Sequence, residues 1–248
     1  MAVPPPFLTV FIPAYNEEAN LENCVQVVLA KLEALGVSAE ALIVDDGSWD
    51  GTAALADRLA QQSEKVRVVH HPENRGIGGA FVTAAAQARG EWLILIPADL
   101  ALEPDELRRY LQAAAGADVV VGLRSDRADY TWLRRLVSWT NIFLVQRLFG
   151  MKERQFQYIS MYRMEVLRQI QAKYGGADRP GIRYWRSAFF LAEVLIKARR
   201  LGYRLVEVED VRYVPRQAGR ATGAHPRLVL RTLHDLLHFW LTGLWRHS

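Results

Sequence analysis

Five short apolar runs recur through the first half of the chain, and each ends in polar residues. They are FLTVFIPA (7–14), ALIVDD (41–46), VRVVHH (66–71), WLILIP (92–97) and DVVVG (118–122). Helical patterns lie between them, near 18–35, 52–62, 77–88 and 104–114. Apolar strands alternating with helices form βαβ units, which build a mostly parallel sheet covered on both faces. Such sheets bind ligands outside the carboxyl ends of their strands. Those ends carry AYNEE, DDGSWDGT, PENRGIGG, PADL and GLRSDR in order, so Asp, Glu, Asn, Arg and Gly gather on one edge.

The second half changes character. Residues 131–149 read as a strongly apolar helix with arginines on one side. YISMYR (158–163) can form a strand. SAFFLAEVLIKARRLG (187–202) is a helix closed by Gly202. YRLVEVE (203–209) alternates like an edge strand, and 225–245 is another apolar helix with Pro226 near its start. The longest uncharged runs of the two apolar helices, Leu136 to Gln146 and Leu236 to Trp245, fall well short of the ~20 residues a span requires. Their Trp, Phe and Leu with flanking Arg suit a helix lying in a membrane interface; packing on the sheet and a dimer contact are the alternatives. A chain of 248 residues, 50% of them hydrophobic, suits one large α/β domain with at most an appendage.

Charge and cysteine content narrow the class further. A net charge of +4 is mildly basic and is not the footprint of a nucleic-acid binder. The arginines gather late: Arg124, Arg127, Arg134 and Arg135, then Arg212, Arg216, Arg220, Arg227 and Arg231. That basic half could face phosphates or an anionic membrane, or be a solvated surface. The one cysteine, Cys24, falls in a helical pattern and reads as a small buried apolar residue. No disulfide framework or zinc cluster can be built from it within the chain, which fits a reducing cytosol. The N-terminus lacks the pattern of a signal peptide. The six histidines show no metal-binding spacing; His234 and His238 are four apart on a helix, without a third ligand.

Chemistry concentrates in three motifs. Glu17 and Glu18 fall at a helix start, where acids favour the helix dipole. In VDDGSWDGT, Asp45 and Asp46 end a strand and point to opposite faces, so at least one is expected to meet a ligand such as a base N–H or a ribose hydroxyl. In NRGIGGA, glycines before a helix N-terminus permit close approach to negative charge. That motif does not match the dinucleotide fingerprint.

PAYNEE, VDDGSWDGT, NRGIGGA and GLR, in this order, resemble family 2 glycosyltransferases of the GT-A fold, in particular the dolichol-phosphate mannose synthase and polyprenyl-phosphate glycosyltransferase group. The resemblance runs over roughly residues 6 to 222. It implies an α/β fold with a mostly parallel central sheet flanked by helices, a GT-A domain over 1–222 and an amphipathic helix over 223–248. It also implies sugar transfer from a nucleotide donor with inversion. Carried over, Pro13, Ala14, Tyr15 and Glu17 would line the nucleotide pocket with Ala98 and Asp99. Asp46, with Asp45, would read the base or ribose, and Arg75 and Gly76 would sit near the nucleotide. Arg124 matches the arginine of a GSR-like motif. Arg216 and Gly219 match a late loop that closes over the diphosphate. Asp99, Arg124 and Arg216 are the expected catalytic residues.

Two departures bear on the metal. The family usually has Asp-Ala-Asp, often followed by Leu-Gln, at the fourth strand end, and these side chains hold Mg²⁺ or Mn²⁺ on the donor diphosphate. Here Pro97 replaces the first acid and Ala101 the glutamine, leaving Asp99. Further on, Arg154 stands where the branch has an aspartate. The expected ion is therefore weakly held or dispensable, or held by Asp99 with the donor phosphates, since Mg²⁺ commonly uses one or two carboxylates and keeps waters. A leaving diphosphate still requires positive charge, for which Arg124, Arg154 and Arg216 are candidates. A hydroxyl acceptor needs a general base; Glu193, a recurrent family acid, and Asp99 are candidates. A lipid phosphate needs none. The shortage of bases, the late arginines and the two apolar helices favour a polyprenyl-phosphate acceptor. The chain would then work peripherally on the cytoplasmic, inner face of a membrane, alone or with a membrane-protein partner. A soluble or glycolipid acceptor, and a nucleotide-binding subunit with impaired catalysis, are the alternatives.

Overall fold

The computed structural model describes residues 5–124, 132–156, 159–176, 180–212 and 226–246. The first half alternates as its hydrophobic pattern requires: β1 (Leu8–Ala14), α1 (Leu21–Ala34), β2 (Ala39–Asp45), α2 (Thr52–Gln62), β3 (Val66–His70), α3 (Gly76–Gln87), β4 (Trp92–Leu95), α4 (Leu107–Ala114) and β5 (Val119–Arg124). Then come α5 (Trp132–Phe149), β6 (Ser160–Arg163), α6 (Met164–Tyr174), α7 (Phe190–Arg200), β7 (Leu205–Val211) and α8 (Pro226–Thr242).

Among the described residues seven strands form one sheet in the order β3-β2-β1-β4-β6-β5-β7. β1 lies parallel to β2 on one side and to β4 on the other. β6 enters antiparallel between β4 and β5, and β7 closes the edge parallel to β5. The winding therefore reverses between β1 and β4, the place where open α/β sheets leave a crevice at the carboxyl ends. Central strands with apolar runs on both faces are the ones buried on both faces: Val10, Phe11 and Ile12 of β1 and Leu42, Ile43 and Val44 of β2 have no exposed surface.

α1 buries Leu21, Val25, Val28 and Leu32, one stripe at helical spacing, together with Cys24. α7 is buried nearly all round, including Glu193 and Lys197. α8 sends Leu236 and Phe239 into the core, where Phe239 meets Tyr184 and Phe189 edge to face and Phe149 at a tilt. α5 and α8 pack against each other. Both keep an apolar stripe in solvent: Trp132, Leu136, Trp139 and Phe143 on α5, and Leu230, Leu233, Leu237 and Leu241 on α8. Among the described residues no helix is long and apolar enough to cross a membrane.

Candidate active site at the carboxyl edge of the sheet

The loops after β1 and β2 are stitched together. The Asn16 amide donates to Ser48 Oγ (3.0 Å), and the Trp49 amide donates to Asn16 Oδ1 (3.0 Å). The Glu17 amide donates to Thr52 Oγ1 (2.9 Å), and the Gly51 amide to Glu18 Oε2 (3.0 Å). This exchange ties the two loops to each other ahead of α1 and α2, and it gives the side chains of Asn16, Glu18, Ser48 and Thr52 their role as acceptors of backbone amides. Gly47, at φ +72°, is obligatory: a Cβ there would lie 2.7 Å from the backbone of Glu73. Tyr15 and Trp49 project from this rigid pair of loops, Trp49 being 80% exposed. Pro13 is half-buried and Ala14 buried beneath them.

Asp45 and Asp46 do point apart, and both are buried. Asp45 accepts from the Ser48 amide (3.1 Å) and pairs with His70 Nδ1 (2.8 Å). That hydrogen bond holds the His70 imidazole above its ordinary value, against the opposing pull of partial burial. Asp46 lies 2.6 Å from His71 Nδ1 and accepts from the amides of Arg75 (2.9 Å) and Gly76 (2.7 Å). Its carboxylate therefore occupies the N-terminus of α3. The anion that this helix start was expected to attract is supplied by the protein itself, so the role that geometry gives Asp46 is to fix the β3–α3 turn.

Gly76, at φ +75°, has open space where a Cβ would lie, whereas Gly78 and Gly79 are filled by the protein itself. A Cβ on Gly78 would lie 1.9 Å from the Trp185 carbonyl oxygen, and one on Gly79 would meet the Trp185 ring at 3.3 Å. They admit Trp185, which lies against the first turn of the helix. Arg75 places its guanidinium 5.3 Å from the centre of the Trp185 ring.

At the end of β4, Ala98 is buried and Asp99 half-buried. Asp99 accepts from the Ala101 amide (3.2 Å), and Leu100 follows at φ +51°. Ala98, Asp99 and Leu100 line a cleft of ≈ 490 Å³ with Asn20 and Asn23 of α1 and with Glu103. Cys24 lies under it, its Sγ 3.6 Å from the Pro97 carbonyl. Burial, with Asp99 and Glu17 nearby, pushes its thiol up to about 12, so it stays protonated and inert. Pro97 and Ala101 offer no ligand atoms in their side chains. Among the described residues no three His, Cys, Asp or Glu side chains stand together in a way that could hold a metal ion. These residues do not form a chelating set for Mg²⁺ or Mn²⁺.

Two candidates read from the sequence are occupied elsewhere. Arg154 is tied to the edge strand: its Nε lies 3.1 Å from Glu207 and its Nη2 2.5 Å from Glu209. It is neutralised and is not a cation for a diphosphate. Glu193 has no exposed surface. Its oxygens accept from the amides of Arg183 and Tyr184 (2.8 Å each) and from Lys197 Nζ (2.5 Å). A carboxylate so engaged cannot serve as a general base; it anchors the 181–184 segment. Lys197 also donates to the Gly181 carbonyl (2.7 Å), and burial lowers its ammonium from the usual value against the pull of Glu193. Arg124 is held at its backbone by Gln155, whose amide group bonds both the Arg124 N–H (2.9 Å) and its carbonyl (3.0 Å). Arg216, Gly219, Arg127 and Arg220 lie outside the described residues.

The sequence reading passed over His71, Trp185 and Arg186. The i,i+4 spacing of Glu193 and Lys197 on an apolar helix was the available signal for the anchor; GIRYWRS carried none.

The family model for glycosyl transferase family 2 matches residues 9–171. The chain is 28% identical over 218 residues to an undecaprenyl-phosphate mannosyltransferase of Micrococcus luteus, covering 85% of this chain and 84% of that protein. It is 33% identical over 167 residues to the undecaprenyl-phosphate 4-deoxy-4-formamido-L-arabinose transferase of Edwardsiella ictaluri, covering 66% of this chain and 51% of that protein. The chain thus spans about half the length of the second relative. Among solved structures, glucosyl-3-phosphoglycerate synthase of Mycobacterium tuberculosis superposes with a TM-score of 0.68 at 18% identity, covering 94% of this chain and 79% of that one. The mannosyltransferase PcManGT of Pyrobaculum calidifontis, solved with GDP-Man and Mn²⁺, gives 0.62 at 19% identity, covering 98% and 69%. A mostly parallel sheet whose winding reverses between β1 and β4, with its polar motifs on one edge, and a family match over more than half the chain lead to one conclusion: this protein belongs to glycosyl transferase family 2 and has the GT-A fold.

Proposed function

We propose that this protein transfers a sugar, with inversion of the anomeric centre, from a UDP- or GDP-sugar to a polyprenyl phosphate at the inner face of a membrane. Residues 1–222 would form the transferase domain and 223–248 the helix that faces the lipid. The observation that carries the acceptor assignment is the pair of exposed apolar stripes on α5 and α8, which pack together and carry exposed Arg135, Arg147, Arg227 and Arg231. Apolar stripes with cationic flanks suit the boundary of an anionic bilayer. The names of the two curated relatives support the same acceptor class. The engagement of Glu193 supports it too, because a lipid phosphate is already anionic and needs no base to activate it. Asp99 and Arg124 would face the reacting groups from the ends of β4 and β5.

The test is nucleotide release from a panel of UDP- and GDP-sugars, with and without a short polyprenyl phosphate, in Mn²⁺, in Mg²⁺ and in EDTA. Release from at least one donor should rise on adding the lipid, and part of it should survive EDTA. Release that ignores the lipid would overturn the acceptor. Complete loss in EDTA would mean that Asp99 with the donor phosphates suffices to hold an ion. Bound donor with no release would leave a nucleotide-binding subunit.

The membrane contact has its own test. Placing glutamate at Trp139 and Phe143, whose rings stack 5.7 Å apart in solvent, should weaken co-flotation with anionic liposomes by about tenfold or more. Unchanged flotation would move the lipid contact elsewhere.

A further inference from the structure

Residues 181–187 lie between α6 and α7 and are held from several sides. The buried Glu193–Lys197 pair grips them from one side through the Gly181 carbonyl and the Arg183 and Tyr184 amides. The first turn of α3 grips them from the other, where Gly78 leaves just enough room for the Trp185 backbone. Tyr184 Oη adds a 2.6 Å contact to His238 Nδ1 on α8. What this scaffold holds up is a half-buried indole with two guanidinium groups over it: Arg75 at 5.3 Å and Arg186 at 4.6 Å from the ring centre.

Neither guanidinium has a carboxylate partner among the described residues, in contrast to Arg67, Arg109, Arg154, Arg163, Arg199 and Arg212, which all do. Arg186 is exposed and Arg75 half-buried. A guanidinium laid on an aromatic face keeps its N–H edge available for two parallel hydrogen bonds to an oxyanion. Arg75 belongs to the β3–α3 turn, so the pair stands at the carboxyl edge of the sheet. The amides of Arg75 and Gly76 beside it are already taken by Asp46, which leaves fewer backbone donors for an anion at this helix start. The strand end that follows carries Asp99, a carboxylate, which adds negative charge rather than offsetting it.

We propose that Arg186 and Arg75, aligned on Trp185, form a binding site for the phosphate-bearing part of a substrate. This rests on the reading of the protein as a transferase between two phosphorylated substrates, and the shared ligand chemistry is an oxyanion of a phosphate ester. Its source is either the diphosphate of the donor or the phosphate of the lipid.

The experiment measures binding to the full chain. The probes are UDP, GDP, the parent nucleosides, and a short polyprenyl phosphate with its parent alcohol in matched micelles. Arg186→Ala should weaken one phosphate probe by about 10- to 100-fold, the range for losing a charge-assisted hydrogen-bonded pair. Binding of the nucleoside or alcohol should stay within about twofold. Arg186→Lys should fall between, because it keeps the charge and loses the fork. Loss confined to UDP or GDP assigns the site to the donor; loss confined to the lipid phosphate assigns it to the acceptor. Equal loss for phosphate-free probes, no loss for any phosphate probe, or a wild-type protein that binds none of them would each overturn the proposal. Failure of lipid to stimulate transfer, with UDP or GDP binding still sensitive to Arg186, would remove the acceptor reading and leave this site standing.

Discussion

Alanine at Glu193 should cost the protein about 3–5 kcal/mol of unfolding free energy, read as a lower midpoint in urea. The substitution removes one partner of a pair with 0% and 3% side-chain exposure and leaves the other behind. Lys197 then keeps only the Gly181 carbonyl, beneath the rings of Tyr174 and Phe239. The amides of Arg183 and Tyr184 lose their acceptors as well. Replacing both members, Glu193→Ala with Lys197→Met, should cost less than Glu193→Ala alone, because no unpaired charge remains. The pH dependence has a defined sign. Burial already lowers Lys197, and without Glu193 it falls further. Between that lowered value and the ordinary lysine value the unfolded chain binds the extra proton, so the variant should gain stability as pH rises through this window. A loss under about 1 kcal/mol, or a flat pH profile in that window, would show that the anchor is not what holds the 181–187 segment.

Asp46→Ala should be nearly as damaging, by about 2–4 kcal/mol. Three groups lose one acceptor: the His71 ring and the amides of Arg75 and Gly76. His71 keeps only Thr83, 2.8 Å from its Nε2. Because the same turn carries Arg75, affinity for UDP or GDP should drop with stability. Asp46→Asn should cost less than Asp46→Ala, since its carbonyl oxygen can still accept from His71 and the Arg75 amide and only the Gly76 amide would face its NH₂. Thermal unfolding and nucleotide binding read the two effects separately. Normal melting with lost binding would return Asp46 to direct contact with the nucleotide, as its motif suggested.

Much of the sheet was legible because its strands are buried on both faces. Their apolar runs are continuous and stand out between polar strand ends, so β1 to β5 fall where the runs are. The position of β6 was legible too, but its antiparallel entry between β4 and β5 was not, because orientation is set by where the chain travels after α5. The edge position of β7 showed in its alternation. That same alternation puts Glu207 and Glu209 on one face, yet nothing local says that Arg154 lies across from them.

The candidate site was legible as an edge and less so as roles. A carboxylate in a motif announces that something positive or protic faces it, without saying whether that partner is a ligand or the protein. Asp46 and Glu193 both found their partners in backbone amides contributed by other segments, and Trp185 and Arg186 acquire meaning only where the chain folds them against α3. The departure at Pro97 and Ala101 was fully visible, because it is a matter of which atoms are present.

The stitching of the loops after β1 and β2 has a thermodynamic consequence for the donor. Residues 15–18 and 46–52 exchange hydrogen bonds in both directions, so neither can shift without opening the other. Their ordering entropy was lost when the chain folded, not when a nucleotide arrives. If the donor binds here, as the proposed function has it, it meets a floor that is already set, and its affinity is decided by fit and by charge. Residues 15–18 and 46–52 should also respond to substitution as one unit: a change at Asn16 removes the acceptor of the Trp49 amide and a change at Ser48 the acceptor of the Asn16 amide, two bonds between the same loops, so together they should cost something other than their sum.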